Sequence, residues 1–142
     1  MRGIYIHIPF CRKICNYCDF YKMVVSDQYK SKYVDYLLKD LKMTIDKYNL
    51  SNIDTIYIGG GTPSCLPSDL LEKILNSLSK YFKLNDLKEF TIEANPEDLN
   101  VEFIELISKY HISRVSIGVQ TFNNKFYNIL GRCTDYETLT RS

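Results

Sequence analysis

The sequence predicts an α/β protein built on a parallel sheet. Four short runs of β-branched and aromatic residues are each followed by a segment with helical periodicity. Each run is closed by residues that interrupt it, most often glycine or proline. Strands that alternate with helices form parallel sheets, because each helix returns the chain to the edge where the next strand begins. We therefore expect about four strands and three to four helices in one unit over residues 1–142.

The predicted strands are short, as strands in such proteins usually are. They cover residues 4–8, 54–58, 90–94 and 115–119. The closing residues are, in the same order, Pro9, Gly59-Gly60-Gly61, Asn95-Pro96 and Gln120-Thr121.

Between the strands, apolar residues recur at intervals close to 3.6. Residues 27–48 form the longest such pattern, and Ser26 is a suitable N-cap for it. The second helix has an apolar stripe at Leu70, Leu71, Ile74, Leu75 and Leu78, with Pro67 in its first turn. The third has a stripe at Val101, Ile104, Ile107 and Tyr110, with Asn100 as its cap. A short fourth helix over residues 123–130 should end at Gly131.

Composition and charge exclude several classes of protein. The 18 basic and 17 acidic residues give a net charge of 18 − 17 = +1, which lacks the clustered basic excess of a nucleic-acid-binding protein. No apolar run approaches the roughly 18 residues of a membrane span. The first nine residues are too short and too polar for a signal peptide. We expect a folded cytoplasmic protein, since 45% of the residues are hydrophobic and 25% are charged.

The five cysteines are distributed unevenly: Cys11, Cys15 and Cys18 lie within eight residues, whereas Cys65 and Cys133 stand apart. In a cytoplasmic chain this clustering indicates metal or redox chemistry rather than disulfides. Structural zinc usually needs two separated pairs of ligands, and no second pair is present. A [4Fe–4S] cluster held by three cysteines would leave one iron open to a substrate. The residues favour the cluster, with zinc and three inert buried thiols as alternatives.

Binding sites of parallel sheets collect at the carboxyl ends of the strands. Here those ends are residues 9–20, 59–64, 95–98 and 120–122, and each contains an unusual motif. A glycine loop lets the backbone approach a ligand without a Cβ collision, although a glycine triplet can also be a plain turn. Glu93 lies inside a predicted strand, where a carboxylate needs a partner unless it faces outward at an edge.

Four sequence stretches at these strand ends are distinctive. They are Tyr5-Ile6-His7-Ile8-Pro9-Phe10-Cys11 with Cys15 and Cys18, Gly59-Gly60-Gly61-Thr62-Pro63-Ser64, Glu93-Ala94-Asn95-Pro96, and Ser116-Ile117-Gly118-Val119-Gln120-Thr121-Phe122. They resemble the radical S-adenosylmethionine (SAM) superfamily and, within it, the oxygen-independent coproporphyrinogen III oxidase-like family. The resemblance implies a parallel-stranded partial (β/α) barrel. This chain would supply an incomplete, N-terminal part of it, because family members are several hundred residues long.

The resemblance also implies two cofactors. Cys11, Cys15 and Cys18 would hold a [4Fe–4S] cluster, and SAM would chelate the fourth iron, where an electron from the cluster cleaves SAM to a 5′-deoxyadenosyl radical. The residues that the resemblance places at SAM or near the cluster are Tyr5, Tyr17, Gly60, Gly61, Thr62, Glu93, Gln120 and Arg132. Arg132 could equally be a solvated cation at a helix end, and the two tyrosines could be core residues. No residue is assigned a catalytic role.

The family contains oxidases and haem chaperones. The oxidases typically carry a further cysteine two positions after the third, where this chain has Phe20. The ending Cys18-Asp19-Phe20 resembles the chaperones, which bind haem and pass it to acceptor proteins. We therefore expect a haem chaperone, with radical decarboxylation of coproporphyrinogen III as the first alternative and a structural zinc domain as the second. The expected partners are SAM, haem or a porphyrin, an acceptor protein and an electron donor, and the last predicted strand should leave an exposed edge.

Overall fold

A computed structural model describes residues 1–142 and contains one four-stranded parallel sheet with the strand order β1-β2-β3-β4. The strands are β1 Gly3–Ile8, β2 Thr55–Gly60, β3 Glu89–Ala94 and β4 Arg114–Ile117. The α-helices are α1 Asp27–Tyr48, α2 Ser68–Tyr81, α3 Val101–Lys109, α4 Asn124–Leu130 and α5 Tyr136–Arg141. The predicted α/β class is confirmed, and α5 adds one helix to the expected three to four.

One face of the sheet forms the hydrophobic core. The register places Ile6 beside Ile58 and Ile58 beside Ile92, and all three side chains are buried. Ile74 of α2 and Val34 of α1 belong to the same buried cluster. Because a fully buried side chain of this size contributes about 1.5–3 kcal/mol, this layer fixes the strands side by side and brings their carboxyl ends to one edge.

The opposite face of the sheet is polar and aromatic. Side chains alternate across a strand, so the neighbours of the buried isoleucines point to this side. Tyr5 and Tyr57 are register partners on it, as are Glu93 and Ser116. At the carboxyl ends of the strands, this polar face continues into the strand-end segments that the sequence analysis identified.

Local capping sets the helix boundaries. The Ser26 hydroxyl accepts the Tyr29 N–H at 3.4 Å, and the Asn100 side chain accepts the Phe103 N–H at 2.9 Å. Gly131 ends α4 in the left-handed conformation with φ 71°. These three predictions are confirmed. The sequence predicts Pro67 within the first turn of α2, but Pro67 lies one residue before the helix, as its N-cap.

The fourth strand is shorter than predicted. It ends at Ile117 instead of residue 119. The Gly118 N–H still donates to the Ala94 carbonyl at 2.9 Å, but Gln120 adopts φ 66° and turns the chain away from the sheet. Strand β4 pairs with β3 alone, so its other edge is exposed as expected.

The predicted apolar stripe of helix α3 is confirmed in part. Its residues Ile107 and Tyr110 are buried in the core together with Phe103, whereas Val101 and Ile104 are exposed. None of the helices combines the length and apolar character needed to cross a membrane.

Candidate functional site

The carboxyl ends of the four strands surround a cleft of about 300 Å³. Ten of the predicted site residues line it: Cys11, Cys15, Tyr17, Cys18, Gly60, Gly61, Thr62, Glu93, Gln120 and Arg132. Tyr5 does not line the cleft, since it lies further down the polar face of β1, where its hydroxyl forms a 2.9 Å hydrogen bond with His7 Nδ1. The structure thus brings together segments that are up to 121 positions apart, from Cys11 to Arg132.

Residues 11–22, which we call the cysteine loop, are positioned by tertiary contacts. At the start of the loop, the Cys11 N–H donates to the Met23 carbonyl at 3.0 Å. In the middle, the Asn16 N–H donates to the Leu130 carbonyl at 3.0 Å. These bonds tie the loop to the chain that follows it and to the end of α4.

The three cysteines of the loop are each partly buried, form no disulfide and line the same cleft. Burial raises the pKa of the Cys11 thiol, and the charges of Cys18 and Cys15 raise it further, while a hydrogen bond from Thr62 opposes this. The Thr62 hydroxyl donates to Cys11 Sγ at 3.5 Å. The three thiols are therefore close enough to influence one another electrostatically.

The number of thiols in the cleft can be compared with the needs of two kinds of metal site. A structural zinc ion usually takes four protein ligands. A [4Fe–4S] cluster that keeps one iron open takes three cysteines, each on a different iron. The three thiols that line this cleft match the ligand number of such a cluster.

The other two cysteines lie outside the lining of the cleft. Cys65 is buried in the short turn Pro63–Cys65, and burial raises its pKa to about 12. Its thiol is therefore protonated and unreactive at neutral pH. Cys133 is exposed.

The glycines after β2 make room for atoms of the protein itself. A Cβ on Gly61 would lie 2.7 Å from the Phe10 carbonyl oxygen and 3.1 Å from Cys11 Sγ. A Cβ on Gly60 would lie 2.6 Å from the His7 ring, and the φ of +119° at Gly60 is strained for other residues. The glycine loop thus packs directly against the cysteine loop, a role additional to the predicted approach to a ligand.

Glu93 has a partner on each carboxylate oxygen. The Tyr57 hydroxyl donates to Oε1 at 2.6 Å, and the Gly60 N–H donates to Oε2 at 2.9 Å. The bond to Glu93, together with burial, raises the pKa of Tyr57 to about 12. Glu93 lines the cleft, and each of its carboxylate oxygens keeps a lone pair for a further donor. The carboxylate can therefore still accept a hydrogen bond from a ligand in the cleft.

Arg132 is buried, with its side chain 4% exposed, although the sequence allowed a solvated cation at this position. Its guanidinium donates to the Gly118 carbonyl at 2.7 Å and to Asn95 Oδ1 at 3.1 Å. It also approaches Cys15 Sγ at 3.9 Å. Arg132 therefore connects the end of α4 to the ends of β3 and β4 and to the cysteine loop.

Sequence reasoning missed three residues that shape the site. Tyr57 orients Glu93 through a hydrogen bond. Its position on the polar face of the strand next to Glu93 could have identified it from the sequence. Ser64 and Asp98 lie behind the cleft, where the Ser64 hydroxyl donates to Asp98 Oδ2 at 2.7 Å. Both belong to strand-end segments, but nothing in the sequence says that they contact each other.

Fold and site together define a class of protein. The strand ends of a parallel sheet hold three thiols, a glycine loop, an oriented carboxylate and a buried arginine around one cleft. Such a site suits a cysteine-held cluster beside a small charged organic ligand. The sequence pattern of the Radical SAM superfamily matches residues 5–141, and the chain belongs to this superfamily.

Comparison with individual proteins gives heme chaperones and a coproporphyrinogen III oxidase among the relatives. The chain is 42% identical over 128 residues to the heme chaperone HemW of Lactococcus lactis, covering 90% of this chain and 33% of the relative. It is 40% identical over 133 residues to HemW of Bacillus subtilis, covering 93% of this chain and 35% of the relative. The solved structure of coproporphyrinogen III oxidase (HemN) from Escherichia coli superposes with a TM-score of 0.87 at 27% identity, over 99% of this chain and 32% of that one. The chain spans about a third of the length of these proteins, and the predicted partial-barrel fold is confirmed.

Proposed function

We propose that residues 1–142 are the N-terminal part of the radical SAM core of a haem chaperone, and that the chain binds a [4Fe–4S] cluster and SAM. The single observation that supports this best is the presence of Cys11, Cys15 and Cys18 around the same cleft as the glycine loop and Glu93. Similarity to two curated heme chaperones supports the assignment to this branch. The full-length protein would bind haem in the cytoplasm and pass it to an acceptor protein.

In this proposal Cys11, Cys15 and Cys18 would each hold one iron of the cluster and leave one iron open for SAM. The bound cluster would supply the electron for reductive cleavage of SAM. The Thr62 hydroxyl donates to Cys11 Sγ at 3.5 Å, which partly offsets the rise in the pKa of this thiol that burial causes. Arg132 places a cationic donor 3.9 Å from Cys15 Sγ. Both donors would stabilise the thiolates that metal binding requires.

SAM carries a carboxylate, an ammonium group and an adenosine, and the cleft offers groups of matching chemistry. Glu93 would accept hydrogen bonds from SAM, and the backbone of Gly60 and Gly61 with Thr62 would meet its methionine end. The rest of the SAM site would be lined by Gln120, Arg132 and Tyr17. The volume of about 300 Å³ lies at the lower limit for small-molecule pockets. The contact of Tyr5 with SAM or the cluster region stays a prediction, because Tyr5 lies further down the sheet face.

Phe20 supports the chaperone over the oxidase. It lines the cleft and is 74% exposed, and its side chain cannot bind a metal at the position where the oxidases carry a further cysteine. Radical decarboxylation of coproporphyrinogen III is the second candidate, because the fold superposes on HemN with a TM-score of 0.87.

Anaerobic iron–sulfur reconstitution tests the cluster. We expect about four irons per wild-type chain, and a large loss of iron uptake in Cys15→Ala. Cys133→Ala is the matched control, because Cys133 is an exposed cysteine outside the cleft. Iron content that is equal in Cys15→Ala and Cys133→Ala would remove Cys15 from the ligand set.

Two further measurements test the ligands. Calorimetry should show SAM binding to the cluster-loaded chain and none to the cluster-free chain, and equal binding to both would contradict chelation at iron. On the full-length protein, haem binding and consumption of coproporphyrinogen III should be assayed side by side. Haem binding without consumption supports the chaperone, and consumption supports the oxidase.

A further inference from the structure

Asp98 is a buried carboxylate that does not line the cleft. It ends the short turn Pro96–Asp98 after β3, and its side chain is 1% exposed. Its Oδ1 accepts a hydrogen bond from Arg12 Nε at 2.7 Å and forms a salt bridge with Arg12 Nη2 at 2.7 Å, and its Oδ2 accepts the Ser64 hydroxyl at 2.7 Å. We call Arg12, Ser64 and Asp98 the Asp98 latch.

The latch joins three strand ends. Arg12 belongs to the cysteine loop after β1, Ser64 to the segment after β2, and Asp98 to the turn after β3. Ser64 extends the connection, because its hydroxyl oxygen also accepts the Asn95 N–H at 3.1 Å. A buried carboxylate is stable only when its oxygens are paired, so removing one of these partners leaves a costly unpaired charge.

Arg12 is the one part of the latch that lies in the cysteine loop. Its neighbours Cys11 and Lys13 line the cleft, whereas Arg12 lines a separate pocket behind the loop together with Asp98. The bond to Asp98 therefore holds the Arg12 side chain on the side of the loop away from the cleft, between two neighbours that line the cleft. We infer that this contact helps to keep the Cys11 sulfur on the cleft side.

We propose that Arg12 and Asp98 are positioning residues, which hold the start of the cysteine loop in the shape that receives the cluster before any cluster is bound. The inference rests on the proposed function, since it concerns the geometry of a cluster ligand. Its first test uses the cluster-free chain and is therefore independent of whether a cluster forms.

The test compares Arg12→Gln with Arg114→Gln in the 142-residue chain. Both substitutions remove an arginine that pairs with a carboxylate, and the two side chains are equally accessible, 56% for Arg12 and 53% for Arg114. Arg114 pairs with Glu89 on the sheet, away from the cysteine loop. A lysine-specific protease then reports the mobility of the loop through the rate of cleavage after Lys13. We expect cleavage at least about tenfold faster in Arg12→Gln, as for loss of a charged hydrogen bond, and unchanged in Arg114→Gln.

A second readout follows the reconstituted cluster. Iron transfer to a chelator should be faster from Arg12→Gln than from wild type and Arg114→Gln, and Arg12→Lys, which keeps one charged donor, should lie between. Asp98→Asn should reproduce the faster cleavage if it folds, and Arg12→Gln decides the question if it does not.

Three results would overturn the inference. One is a cleavage rate in Arg12→Gln equal to that of wild type. Another is an increase in cleavage that merely follows a fall in the urea midpoint, because this would show a general loss of stability. The third is faster cleavage with unchanged iron transfer, because the latch would then not act on the cluster site. If no variant and no wild-type chain takes up iron, the proposed function fails, while the protease comparison still decides whether the latch orders the loop.

Discussion

Substitution of Gly61 by alanine tests whether the glycine loop must contact the cysteine loop. The added Cβ would lie 2.7 Å from the Phe10 carbonyl oxygen, 3.0 Å from the Phe10 nitrogen and 3.1 Å from Cys11 Sγ. Two of these atoms are backbone, so no rotamer change relieves the collision. The segments would have to separate, although the Gly61 N–H donates to Ile8 at 2.8 Å and the Thr62 N–H donates to Phe10 at 2.7 Å.

The expected cost has two sources. Overpacking of a well-packed site costs about 1–3 kcal/mol. Weakening the two backbone hydrogen bonds adds about 1 kcal/mol. We therefore expect Gly61→Ala to lower the free energy of unfolding by about 2–4 kcal/mol, which corresponds to a fall of about 1–2 M in the urea midpoint for a chain of this size.

Urea unfolding of the cluster-free chain and iron uptake after reconstitution are the two assays. Gly3→Ala is the matched control, since its Cβ would meet Thr55 Oγ1 at 2.6 Å, a side-chain atom that can rotate away. We expect the control to lie within about 0.5 kcal/mol of wild type and to take up iron normally. If Gly61→Ala behaves like Gly3→Ala in both assays, the close approach of the two loops is not what requires glycine.

Two other predictions concern single contacts. Tyr57→Phe removes the hydrogen bond to Glu93. The pKa of Tyr57 is raised from 10 to about 12 in the folded chain. The stability that this bond contributes is therefore present below pH 10 and is lost as the pH rises through 12. The gap between the urea midpoints of wild type and Tyr57→Phe should therefore be constant from pH 7 to pH 9 and narrow above pH 10, and a gap that widens there would reverse the assignment. Asn100→Ala should cost about 1 kcal/mol by removing the cap of α3, measured by the same unfolding assay, and no loss would show that the cap is dispensable.

Local patterns predicted the elements well because the interactions that form them are local. The strand runs and their breakers follow from residue type, and the caps at Ser26 and Asn100 involve partners three residues away. The overshoot of β4 arises where the chain turns. Val119 is a strand-forming residue, but it follows Gly118, and Gln120 adopts the left-handed conformation, which its residue type does not predict.

Longer-range contacts account for the parts that the sequence did not predict. Helix α3 has apolar residues on more than one side, and only the docked position shows that Phe103 is buried while Val101 is exposed. The motif that contains Tyr5 places it near the cleft in sequence, yet the register of β1 puts it further down the sheet face. Asp98 carried no signal, since its partners are 34 and 86 positions away.

The arrangement of polar contacts explains how irregular segments can build a defined site. Beyond the sheet, a few backbone hydrogen bonds still connect neighbouring strand ends, such as that from Gly61 to Ile8. Side chains that cross between the strand ends add to these contacts. Arg132 joins Asn95 to Gly118 on one side of the cleft, and the Asp98 latch joins the first three strand ends on the other. Because Arg132, Ser64 and Asp98 are buried and paired, moving one segment would leave a polar atom unpaired in another. We therefore expect these contacts to keep the shape of the cleft in the cluster-free chain, and the protease comparison of Arg12→Gln with Arg114→Gln tests this for the cysteine loop.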